Sequence, residues 1–134
     1  MIFQTERPIY VQLMDDLKGR IAAGRIAPGE KIDSIRDLAA FYAVNPNTVQ
    51  RALSELERDG LLSTRRANGK TVTEDVQMIR ELRARLASER VETLLSAMES
   101  LGFSAGETRD LFDRAQKARL CLNGGPEITQ GGGS

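Results

Sequence analysis

The chain has 134 residues, no histidine, one cysteine, and 19 basic against 19 acidic side chains. That length suits one principal domain with an appendage. The single Cys121 excludes an internal disulfide, the absence of histidine excludes Ser-His-Asp and Cys-His catalysis, and no apolar run approaches the roughly 20 residues of a membrane helix.

Carboxylates are then the main metal ligands available, so neither a zinc site nor a cofactor is expected. They fall beside arginines on helix surfaces, where solvated ion pairs are the default, and no phosphate-binding glycine loop follows a strand. The chain reads as a non-enzyme. Ile2-Phe3 runs at once into Gln4, Thr5, Glu6 and Arg7, so no signal peptide is expected, and a reducing cytoplasm is the natural compartment.

Pro8 suits the opening turn of a first helix, in which Tyr10, Leu13, Leu17 and Ile21 make an apolar stripe at spacings of three and four. Tyr10 is expected to pack, the alternative being a phosphate contact by it or Arg7. Gly24 ends this helix and Pro28-Gly29 makes a turn. Ser34, with Asp37 three residues on, caps a short second helix whose buried side is Leu38, Ala39 and Phe41 or Tyr42. Ala43-Val44-Asn45 is a short link. Over NPNTVQRALSELERDG the pattern predicts a third helix: Asn45 caps it, Pro46 takes its first position, and Gly60 stops it. Val49, Ala52, Leu53 and Leu56 share one side, and Asn47, Gln50, Arg51, Ser54 and Arg58 the other. An apolar back with amide and guanidinium groups in front suits a helix laid in a DNA major groove, although an ordinary surface helix can carry the same pattern. Leu61–Thr64 and Thr71–Thr73 read as strands around a basic turn at 65–70. Helix, turn, helix and basic hairpin make a winged helix-turn-helix over residues 7–74.

The segments PIYVQLMDDLKGRIAAGRIAPGEKI, DSIRDLAAFYAVNPNTVQRALSELERDGLL and RRANGKTV resemble the GntR family of bacterial transcription regulators, and NPNTVQRAL followed by two helices resembles its YtrA subfamily. Ile32-Asp33-Ser34 departs from the family's Leu-Pro-Ser, and Ala67 and Thr71 replace a wing glycine and an aromatic. The expected partner is double-stranded DNA. Asn47 and Gln50, each able to pair an adenine through two bonds, are the candidates for base edges. Arg36, Thr48, Arg51, Arg65, Arg66 and Lys70 are the candidates for phosphates, and Gly69 lets the wing backbone approach. With charge balanced overall, the basic groups would have to gather on one face, while Asp15, Asp16, Glu55 and Glu57 point elsewhere. The alternative is a winged helix used for protein assembly without DNA, which predicts exposed apolar anchors on the third helix.

From residue 75 a long helix carries Val76, Ile79, Leu82, Leu86, Val91, Leu94, Leu95, Met98 and Leu101 as a broad apolar band. Gly102 closes it, and Ser104 with Glu107 opens another that bears Leu111, Phe112, Ala115, Ala118 and Leu120. Two helices this apolar imply a partner surface, and a second copy is the economical one. The expected module spans 75–121, with Ile79, Leu82, Leu86, Leu94, Met98, Leu101 and Phe112 at the homodimer interface. The fold class is thus mainly α with a small β-hairpin wing, followed by a two-helix dimerisation module. The resemblance implies repression, with a small-molecule effector acting on the C-terminal part. Two helices leave little room for an enclosed pocket, so Met98, Phe103 and Phe112 serve a ligand between protomers or, the preferred reading, plain interface core. Residues 122–134 lose all periodicity; the closing Gly-Gly-Gly-Ser has linker composition and is expected to be disordered.

Overall fold

The computed structural model describes residues 6–65 and 69–122. In chain order the elements are α1 (Ile9–Ala22), α2 (Ile35–Tyr42), α3 (Pro46–Arg58), β1 (Leu62–Thr64), β2 (Lys70–Val72), α4 (Val76–Ser100) and α5 (Ala105–Leu122). The mainly helical fold with a two-stranded wing is the expected one. The chain divides into two compact units, one ending at Ala87 and the other beginning at Ser88, so the division falls inside α4.

Local chemistry sets the ends of the helices. Ser34 Oγ accepts from the Asp37 N–H at 3.1 Å, and Asn45 Oδ1 from the Asn47 N–H at 2.7 Å. At the end of α3, Gly60 has φ +88°; its N–H donates to the Glu57 carbonyl and that of Leu61 to the Leu56 carbonyl. This closure suits a glycine. The turn between α2 and α3 instead places Ala43 at φ 56°, a left-handed conformation costing about 1 kcal/mol without glycine. It redirects the chain within two residues.

Leu13, Leu17 and Ile21 of α1 pack with Leu38 and Tyr42 of α2 and with Val49, Ala52, Leu53 and Leu56 of α3. Tyr42 is the aromatic that α2 buries; Phe41 points outward at 64% exposure. Ile79 and Leu82 of α4 join this same core, with Met78 and Leu86 packed against it. That corrects the expectation that Ile79, Leu82 and Leu86 face a second copy. The periodic band of α4 runs through the unit boundary unbroken, and its first half contributes Ile79 and Leu82 to the core.

The wing pairs Leu62 with Val72, Ser63 with Thr71 and Thr64 with Lys70, antiparallel. Lys70 is therefore a strand residue rather than part of the turn. A third segment lies along β2: Gly29 N–H donates to Val72 O, Val72 N–H to Glu30 O and Ile32 N–H to Lys70 O, at 2.9–3.0 Å. Gly29 sits at φ +80°, a left-handed conformation that glycine adopts without a Cβ penalty. No alternating pattern announces that segment.

In the second unit, Gly102 ends α4, and Ser104 and Glu107 form a reciprocal capping box with bonds of 3.2 and 2.9 Å. Thr108 is buried and Met98 and Leu111 half-buried, while Val91, Leu94, Leu95, Leu101 and Phe112 are exposed. Its apolar surface is largely uncovered.

Candidate nucleic-acid interface

The outer face of α3 is clear. Val49, Ala52, Leu53 and Leu56 anchor its back in the core, and this fixes Asn47, Gln50, Arg51, Ser54 and Arg58 as exposed. Asn47 sits in the first turn, with its backbone N–H satisfied by Asn45 and its side chain turned to solvent. Among the described residues Gln50 makes only a long bond of 3.3 Å, from Nε2 to Ser54 Oγ one helical turn on. That contact is easily exchanged for a base edge. Thr48 is half-buried beside them.

Gln50 also borders an open groove of about 790 Å³ between the wing and the start of α2, lined by Lys31, Arg36, Gly69 and Lys70. Gly69 is exposed at φ +80°, and its carbonyl accepts from the Arg65 N–H at 2.9 Å. Asp33 and Asp37 line the groove as well. Its charge is mixed, not the uniform basic stripe that the phosphate reading asks for. Two of the expected cations are available: Arg36 and Arg65 are exposed, and among the described residues neither meets a carboxylate. Arg66 lies outside the described residues.

Lys70 is committed elsewhere. Its Nζ donates to Glu57 Oε1 at 2.7 Å and to Thr64 Oγ1 at 3.1 Å, while Thr64 Oγ1 donates to Glu57 Oε2 at 2.7 Å. The Lys70 side chain is only 17% exposed. The hydrogen bond from Lys70, followed by that from Thr64, holds the Glu57 carboxyl below its ordinary 4.5. Glu57 therefore faces the wing instead of pointing away from it, and Lys70 works as a wing clasp rather than as a free phosphate contact. The pairing needs tertiary structure to be seen, because the partners are 13 residues apart. The other acids make ion pairs as well: Asp15 with Arg7, Asp16 with Arg20, and Glu55 with Arg58 of the outer face.

Arg51 has a different kind of partner. Its Cζ lies 3.8 Å from the centroid of the Tyr10 ring, and its Nη2 donates to Tyr10 Oη at 3.3 Å. Tyr10 packs against the core, as expected, but it also holds a cation. Among the described residues no cluster of histidine, cysteine or acidic side chains could hold a metal, and no helix is long and apolar enough to cross a membrane.

A winged helix-turn-helix whose third helix turns its amides to solvent has the geometry of a DNA-binding head. The chain belongs to the gntR family of bacterial regulatory proteins, whose profile matches residues 9–72. It is similar to the HTH-type transcriptional regulator YhcF of Bacillus subtilis, with 38% identity over 105 residues, 78% of this chain and 87% of that protein. It is also similar to the HTH-type transcriptional repressor YtrA of the same species, at 38% over 74 residues, 55% of this chain and 57% of that protein. Among solved structures, a GntR family transcriptional regulator from Listeria monocytogenes matches 84% of this chain and 98% of its own, with 34% identity and a TM-score of 0.76.

Proposed function

We propose that the chain is a sequence-specific repressor of the YtrA kind, acting in the cytoplasm as a homodimer on an inverted-repeat operator. The observation that carries this is the exposed outer face of α3, where Asn47 and Gln50 have no strong partner among the described residues. Asn47 and Gln50 read base edges; Arg36, Thr48, Arg51 and Arg65 meet phosphates, Arg66 is assigned with them from sequence, and Gly69 lets the wing approach. Two such helices on a two-fold axis fit half-sites about 34 Å apart. The similarity to YtrA, named a repressor, supports the sign of regulation. Any small-molecule effector would act in the C-terminal module, near Met98, Phe103 and Phe112.

A protein-assembly role would need apolar anchors on that face, and it has none. Selection of binding sites from random DNA, followed by band-shift titration, tests the proposal. Gln50→Ala is expected to cost about 1–3 kcal/mol on the selected site and to relax sequence preference. Arg65→Ala should weaken matched and scrambled duplexes alike. Equal losses on both duplexes for Gln50→Ala would remove it from base readout.

A further inference from the structure

Cations around α3 are restrained in two ways. Arg58 lies 3.5 Å from Glu55 and Lys70 2.7 Å from Glu57, so each meets a carboxylate that offsets its charge. Arg51 meets a neutral ring. Stacked 3.8 Å above Tyr10 and bonded to its hydroxyl, the guanidinium is ordered while its charge still faces outward. Tyr10 can do this because it is itself half-buried against the core, and it approaches from 41 residues away in the chain. With Ile9, Asn47 and Thr48, the pair lines an open recess of about 370 Å³ at the start of α3.

We infer that Tyr10 is a positioning residue for DNA: it holds Arg51 in the orientation in which the guanidinium meets a backbone phosphate entering this recess. The inference rests on the DNA-binding function proposed above. Without the ring, Arg51 samples its rotamers in the free protein and must be ordered at each encounter, a loss of about threefold to tenfold in affinity.

Anisotropy titrations with a labelled random-sequence duplex, repeated across a salt series, test this on the full chain. Tyr10→Leu should weaken binding by that factor, while Tyr10→Phe, which keeps the ring and gives up only the 3.3 Å bond to the hydroxyl, should lose less. In an Arg51→Ala background Tyr10→Leu should cause no further loss, because its effect travels through the arginine. Arg51→Lys leaves the Tyr10 packing intact and keeps the charge, but it cannot lie flat on the ring. It should lose affinity too, and it carries the test if Tyr10→Leu does not fold. Losses that multiply in the double variant, or full affinity in both Tyr10→Leu and Arg51→Lys, overturn the positioning role and leave DNA binding intact. A parent chain with no salt-dependent binding to the duplex overturns both.

Discussion

Asp16 joins the first two helices through single atoms. Its Oδ2 accepts from the Tyr42 hydroxyl at 2.5 Å and from Arg20 Nε at 2.9 Å. Burial pushes its carboxyl up, but the bonds from Tyr42 and Arg20 outweigh that, and the net position is below the ordinary 3.8. The Tyr42 hydroxyl is pushed up, by burial first and then by its bond to Asp16. A depressed carboxylate stabilises the fold above its unfolded value and loses that contribution as pH falls through the folded one. Because the Asp16 side chain keeps 30% exposure, Tyr42→Phe should cost only about 1 kcal/mol near neutrality. Urea titrations of both proteins should show the gap closing as pH drops below 3.8. A gap that persists unchanged in acid would mean that the hydroxyl matters for packing and not for this ion.

The wing moves with α3 because Glu57, in the last turn of that helix, holds Lys70 and Thr64 on the two strands. One carboxylate thus ties the hairpin to α3 and offsets the charge of a wing cation. Glu57→Gln should release Lys70 to a phosphate, raising affinity for random duplex DNA and steepening the logarithmic salt slope by about 0.9. An unchanged slope in band-shift titrations from low to moderate salt would show that Lys70 reaches no phosphate even when freed. Such a clasp marks how far the sequence can be read. The limits and faces of α3 were legible because caps and a 3.6-residue period are local, and Asn45, Gly60 and the Val49–Leu56 stripe all lie within one element. The Glu57–Lys70 bond, the stack of Arg51 on Tyr10 and the pairing of residues 29–32 with β2 join distant segments. Pattern alone cannot reveal them. Nor does it show that Ile79 and Leu82 are buried by their own chain, since an apolar stripe looks the same whether its own chain or another covers it.

At the scale of the whole molecule that stripe separates into two populations. Ile79 and Leu82 lie in the core of the first unit, whereas Val91, Leu94, Leu101 and Phe112 of the second remain exposed. Burying such side chains against a second copy would gain about 25 cal/mol for each Å² removed from water, and uncovered apolar surface on this scale is rare in a monomer. The two populations should respond differently to mutation. Leu82→Ala should lower stability by about 2–5 kcal/mol, leaving the mass in solution unchanged. Leu94→Glu combined with Phe112→Glu should leave the first unit folded and convert a dimer to a monomer in sedimentation velocity. A monomer retains its contacts with one half-site but no longer delivers a second head at high effective concentration. Binding to the full inverted repeat should therefore fall by about 100-fold or more, while binding to an isolated half-site stays constant. If the doubly charged variant sediments as the parent does, residues 88–122 are not the surface that brings two copies together.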